Sequence, residues 1–215
     1  MLGNPVDYDK KFKDELPRFR PNLDFGIKKY LDFIPGKNVL DLGIGQGMNS
    51  IPLQNMGFNV TGVDYSYNSL EICKKFCPEI NLIQSDIRVF DIEKDKFDLI
   101  ISRCVLHFLH KSDAFSIMKS MKDNVKKNGL VYLNVFSVRD PRFEKCKGLD
   151  NFECLDCNVF HNLKDDSYMS FFERDEILDV FDGFKTLLIC DDYSLDTGWD
   201  EPRYCGTIRY IGMKI

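Results

Sequence analysis

Residues 38–49 read NVLDLGIGQGMN, Asn38 through Asn49, and this stretch decides the fold. It begins with residues suited to a buried strand, Val39-Leu40-Asp41-Leu42, and breaks into glycines at alternate positions, Gly43, Gly45 and Gly47. A helical pattern follows over Asn49–Met56, with Gly57 as its natural stop. A strand that ends in a glycine-rich turn and hands over to a helix exposes bare backbone N–H groups at one edge of a parallel sheet. Glycine suits such a turn because no side chain keeps a ligand from the backbone, and because it tolerates positive φ. The stretch is a cofactor loop.

Spacing narrows the cofactor. A dinucleotide fingerprint, G-x-G-x-x-G, would need a third glycine at position 48, which is Met48. NAD is disfavoured. A second acid, Asp64, closes the apolar run Phe58–Val63 and lies nineteen residues beyond Gly45. In this architecture an acid about 20 residues on accepts hydrogen bonds from ribose hydroxyls. The loop and the acid together predict nucleoside binding.

Working outward, a helix capped at Asn22 carries Leu23, Ile27, Tyr30, Leu31 and Ile34 and stops at Pro35-Gly36. It follows a charged arm broken by Pro5, Pro17 and Pro21, which we expect to lie over the cofactor mouth, so that 1–36 forms an N-terminal arm and helix. Beyond the second strand, Ser66 caps a helix through Phe76, and Pro78 marks its exit. The third strand is Ile80–Gln84 and the fourth Phe97–Ser102, the latter apolar through Leu99-Ile100-Ile101 as in a strand covered on both faces. A helix from about Ser112 to Lys126 and a fifth strand, Leu130–Phe136, complete an alternation that implies a parallel sheet with its ligand at the carboxyl ends. Residues 137–170 show little periodicity and read as a long lid-like insertion. A helix over Phe172–Phe181 and strands near Lys185–Tyr193 and Tyr204–Lys214 end the chain.

The motif series resembles a known family. VLDLGIGQG, GVDYS at 62–66, QSDI at 84–87 and FDLIISRCVLHFL at 97–109 are similar, in order, to the motifs of class I S-adenosylmethionine-dependent methyltransferases. Within that superfamily the stretch 45–71, the Gly-x-Asn-Ser piece at 47–50 and the lead-in RFRPNLDF at 18–25 most resemble the tellurite-resistance (TehB-like) type, although those relatives usually carry arginine where this chain has Met48. The resemblance implies one α/β domain over 1–215, a Rossmann-like, seven-stranded, mostly parallel sheet with helices on both faces and an antiparallel C-terminal hairpin. It implies S-adenosylmethionine as cofactor. Gly43, Gly45, Gly47 and Asn49 then face the amino-acid part, with Asp41 oriented toward it; Asp64 holds the ribose beside Tyr65. Asp86 accepts from the adenine amino group, Ile87 lies against the ring, and Ser102 and Arg103 reach the methionine carboxylate or the acceptor.

For the acceptor, Ser102-Arg103-Cys104-Val105-Leu106-His107 follows the fourth strand without the Asn/Asp-Pro-Pro-aromatic turn of nucleic-acid amino-methyltransferases, which favours a small acceptor. Tellurite, selenite or another soft nucleophile is the family expectation; an O-, N- or S-methylated metabolite and a non-catalytic S-adenosylmethionine-binding module are the rivals. His107 is the candidate acid/base, since imidazole titrates near working pH; its alternative role is structural. The TehB-type histidine-arginine pair has no counterpart in Asp196–Arg203, where Trp199 and Arg203 take the comparable place.

Net charge −5 and pI near 5.3 argue against a nucleic-acid partner. No apolar run suits a membrane span, and the start of the sequence lacks a signal-type apolar core, so a cytoplasmic monomer or homodimer is expected. Eight cysteines then read as reduced thiols. Cys154-x-x-Cys157, with Cys146 and His161, contains zinc-ligand types but lacks a second pair, and we assign no metal site.

Overall fold

The computed structural model describes residues 21–156, 158–196 and 203–215. The arm over 1–20, Cys157 and Trp199 lie outside the described residues.

A seven-stranded sheet forms the centre. Its strands are β1 (Asn38–Leu42), β2 (Asn59–Asp64), β3 (Asn81–Gln84), β4 (Leu99–Arg103), β5 (Leu130–Phe136), β9 (Phe184–Asp196) and β10 (Arg203–Lys214), in the order β3-β2-β1-β4-β5-β10-β9. The first five pair in parallel, while β10 runs antiparallel to both β5 and β9. This is the Rossmann-like architecture anticipated, with boundaries shifted by a residue or two at most strands.

Alternation in β1 explains the layering. Leu40 and Leu42 join Ile100, Leu133 and Tyr210 on one face, under α4 (Lys111–Asn124) and α6 (Arg174–Val180). Val39 faces the other way, with Ile101 and Tyr132, under α1 (Phe25–Lys29), α2 (Ser50–Asn55) and α3 (Tyr67–Phe76). Every residue of β5 is buried, as a strand covered on both faces requires. Ser66 caps α3 by accepting from the Ser69 N–H, as the sequence indicates.

Two local expectations are corrected. The cap of the first helix is Asp24, not Asn22: the Asp24 carboxylate accepts from the Gly26 N–H at 2.8 Å, while the Asn22 N–H is drawn to the Met48 carbonyl. The last helix begins at Arg174, because Phe172 is taken up in a bridge to Ser137 and a Glu173/Glu176 capping box starts the turn after it.

Residues 137–170 are built of short elements. Asp140 caps α5 (Pro141–Lys147), with Pro141 at the first helical position, and β6 (Phe152–Asp156), β7 (Val159–Asn162) and β8 (Ser167–Ser170) form an antiparallel sheet. An aromatic cluster of Phe136, Phe143, Phe160 and Phe171 packs this unit onto the end of β5. No helix among the described residues is long and apolar enough to cross a membrane.

Candidate active site

The glycine loop hooks onto the end of β2, where the Gly43 and Ile44 N–H groups both donate to the Val63 carbonyl, at 2.7 and 3.1 Å. Gly43 and Gly47 are glycine for want of room. A Cβ on Gly43 would sit 2.3 Å from Val105, and one on Gly47 2.7 Å from the Cys73 sulfur, both at positive φ. Gly45 differs: its φ is +55° and, among the described residues, a Cβ there would meet nothing within 4 Å.

Three carboxylates stand at or just past the carboxyl ends of β1, β2 and β3. Asp64 bridges the loop and the next helix, accepting from the Gly45 N–H and the Ser66 N–H, each at 2.8 Å. Tyr65 beside it is half exposed. Asp41 is buried under the loop and accepts from the Ser50 hydroxyl at 2.7 Å. Burial pushes its carboxyl up to about 6, against the opposing pull of the Ser50 hydrogen bond. At the end of β3, Asp86 is clamped by Arg88, whose Nε donates to both carboxylate oxygens at 3.0 and 2.9 Å. Burial works to raise the Asp86 carboxyl, but the Arg88 hydrogen bonds and charge together hold it below its ordinary value. Ile87 forms one wall of a cavity of about 120 Å³ with Phe90, Ile92 and Ile117.

The remaining residues expected here have other placements. Asn49 is buried and its Oδ1 accepts from the Asp24 N–H at 2.9 Å, so it pins the N-terminal segment to the loop. Ser102 is sealed off from the cleft, its hydroxyl directed at the Leu42 carbonyl (3.4 Å). Arg103 lies at the rim and pairs with Asp24 at 3.5 Å. Tyr30 holds β9 by donating to the Leu187 carbonyl, a packing role.

His107 does not stand in the open cleft. It is fully buried on a 3₁₀ turn (Leu106–Phe108), stacked on Phe136 with ring centroids 3.4 Å apart. The Arg142 guanidinium lies 3.7 Å from the same ring and takes its other face. Burial, seconded by the Arg142 charge, holds the imidazole well below its ordinary pKa, hence neutral. Among the described residues neither ring nitrogen has a hydrogen-bond partner. Its surroundings in this fold are those of aromatic packing, away from the open cleft.

The zinc-type residues are dispersed. Cys154 is exposed, Cys146 is buried against Met169, and His161 pairs with Asp166 at 2.7 Å. Among the described residues no cluster of metal-ligating side chains forms.

Sequence reading missed Arg88 and Asp24. An arginine two residues after a strand-end acid is a signal that could have found the first. Nothing in the local pattern marks the second, whose partners lie on the loop and on β4.

Residues 39–129 match the family model described as a methyltransferase domain. Over 95 residues, 42% of this chain, the sequence is 37% identical to the "Probable S-adenosyl-L-methionine-dependent methyltransferase TehB" of Haemophilus influenzae. Over this region the chain is similar to class I S-adenosylmethionine-dependent methyltransferases. Other similarity points to the same superfamily: 32% identity over 125 residues to the ubiquinone biosynthesis O-methyltransferase of Actinobacillus pleuropneumoniae, covering 54% of this chain and 52% of that one. The fold of Haemophilus influenzae TehB superposes with a TM-score of 0.69 at 21% identity, over 90% of this chain and 63% of TehB. The sequence match spans about a third of TehB's length and about half of the ubiquinone enzyme's.

The chemistry of these residues fits S-adenosylmethionine: a loop glycine without a side chain, and three carboxylates, Asp64, Asp41 and Asp86, able to accept hydrogen bonds.

Proposed function

We propose that this chain transfers a methyl group from S-adenosylmethionine to a small acceptor with a soft nucleophilic atom, tellurite and selenite being the inorganic members of that class. Gly45 carries the reading: a strand-end glycine with open space above it, its N–H held at 2.8 Å by the acid that ends the next strand. An organic acceptor, methylated at oxygen, nitrogen or sulfur, is the second reading, favoured by the similarity to the ubiquinone biosynthesis enzyme.

When bound, S-adenosylmethionine supplies a methyl group already activated on a sulfonium centre. What remains for the chain is to hold, align and exclude water, and effective molarity supplies much of the rate. Asp64 receives the ribose hydroxyls, Tyr65 flanks them, and Ile87 presents an apolar wall to the base. Arg88 keeps Asp86 ionised and aimed as an acceptor. Asp41 offers a buried negative charge to the ammonium of the amino-acid part. With His107 enclosed by Phe136 and Phe108, an acceptor that arrives with its lone pair free suits this cleft, because such a nucleophile needs no base.

Calorimetric titration with S-adenosylhomocysteine tests the reading. Wild type should bind in the micromolar range, and Asp64→Ala should weaken binding by about 1–3 kcal/mol, the cost of leaving polar partners unsatisfied. Equal binding by the two proteins would remove Asp64 from the site.

A further inference from the structure

We propose that the methyl acceptor is a small anion, a carboxylate or oxyanion held through Arg209 and Arg103, and that Asp24 occupies its place when it is absent. The inference rests on the methyl-transfer reading and adds the acceptor's charge.

Strand register places the two arginines. Arg103 of β4 pairs with Asn134 of β5, Asn134 pairs with Arg209 of β10, and Arg209 pairs with Cys190 of β9. Residues paired across a pleated sheet project from the same face, and strands lie about 5 Å apart, so the two arginines sit about 10 Å from each other on one face. On that face the row below is Ile101, Tyr132 and Ile211, all buried. The sheet changes from an apolar row to a charged one at the carboxyl ends of β4 and β5, where this fold keeps its ligands. The glycine loop, Asp64 and Asp86 belong to β1, β2 and β3. The charged row belongs to the other half of the rim.

Asp24 lies between the arginines, 3.5 Å from Arg103 and 4.0 Å from Arg209, both longer than a hydrogen bond. Its short bond is the helix cap to the Gly26 N–H at 2.8 Å, so the cap and not the arginines sets its position. Arg209 is paired through Nη2 with Asp192, but among the described residues its buried Nε has no hydrogen-bond partner. The Tyr132 hydroxyl is buried beside Asp24 as well. Leaving a buried guanidinium N–H unpaired is costly, and a planar anion is what guanidinium forks match. Asp24 stands between the two guanidinium groups, so an incoming anion meets its carboxylate and is admitted only if Asp24 withdraws. Asp24 sits on a segment tied to the loop by the Asn22 N–H to Met48 and its own N–H to Asn49, which links acceptor entry to the N-terminal cover.

The probes are 3-mercaptopropionate and 3-mercaptopropionamide, which carry the same thiol and differ in charge. Each is titrated calorimetrically into the full chain, with and without saturating S-adenosylhomocysteine. We expect the carboxylate to bind at least about tenfold tighter than the amide, the worth of charge-assisted hydrogen bonds. Arg209→Gln should erase that preference and leave S-adenosylhomocysteine affinity within about twofold. Asp24→Asn, which keeps the cap because Asn serves there as well as Asp, should tighten the carboxylate severalfold. Equal binding of the two probes to wild type, a comparison that needs no variant, overturns the proposal. So does a loss of S-adenosylhomocysteine affinity in Arg209→Gln, which would make the bound anion the cofactor's own carboxylate. If S-adenosylhomocysteine fails to bind while the carboxylate preference persists, the arginine site stands and the methyl-transfer reading falls.

Discussion

Replacing Asp41 by Asn should stabilise the chain at neutral pH and much less in acid. The carboxyl is buried and titrates at about 6 in the fold, against an ordinary value of 3.8. A folded-state pKa raised above the unfolded one means that the fold prefers the protonated acid. That preference is fully present below about pH 4 and is lost as pH rises to 6, where the unfolded chain has released its proton and the folded chain still holds it. A shift of roughly two units corresponds to about 3 kcal/mol of destabilisation above pH 6. An amide at this position carries no charge to bury and still offers its carbonyl to the Ser50 hydroxyl, as the carboxylate does. Urea unfolding of both proteins at about pH 4.5 and about pH 7.5 isolates this group, because other titrations cancel in the difference. The advantage of Asp41→Asn should widen by about 2 kcal/mol between the two conditions, with unchanged m-values. A pH-independent difference, or one that widens toward acid, would refute the reasoning. A charge kept under the loop at such a cost belongs to ligand binding, so the same variant should bind S-adenosylhomocysteine more weakly.

Two glycine variants should separate packing from binding. Gly43→Ala, with its new Cβ 2.3 Å from Val105 at φ +78°, should lose roughly 2–4 kcal/mol in urea unfolding. Gly45→Ala, with open space around its Cβ, should lose only about 1–2 kcal/mol from its positive φ, yet weaken S-adenosylhomocysteine by more than about tenfold as the methyl fills the cradle. Asp140→Ala strips partners from the Arg142 guanidinium and the Gly206 N–H at once, and should cost about 3–5 kcal/mol in the same unfolding assay. A loss under about 1 kcal/mol would mean that water replaces the carboxylate there.

The parallel half of the sheet was legible because its signals are long and agree with one another. Leu99-Ile100-Ile101 can only be a covered strand, Gly57 and Ser66 punctuate their helices, and the loop spacing and Asp64 specify the same ligand independently. The insertion was illegible because its pieces are short. Four residues of β7 or β8 carry too little alternation to distinguish a strand from a loop, and what holds them is distant: Phe136 and Phe171 from other elements, and the Ser170 hydroxyl donating to the Leu109 carbonyl 61 residues away. The burial of His107 was hidden for a related reason. A histidine after a strand-end arginine reads as exposed until Phe136, on another strand, is known to lie against it.

Acceptor recognition is written in a still less local code. Arg103, Asn134 and Arg209 become neighbours only through the register of β4 on β5 and of β5 on β10, and a slip of one residue in either would turn an arginine to the opposite face. The antiparallel placement of β10 makes this possible, because it brings the early part of the last strand back to the rim where β4 and β5 end. Motifs for the cofactor can therefore be contiguous, each at one strand-to-helix turn, whereas the acceptor's contacts are assembled across the sheet. Two chains with matching glycine loops can then differ in acceptor through substitutions far downstream. On this argument the charge at position 209 says more about what is methylated than anything between Asn38 and Asp64.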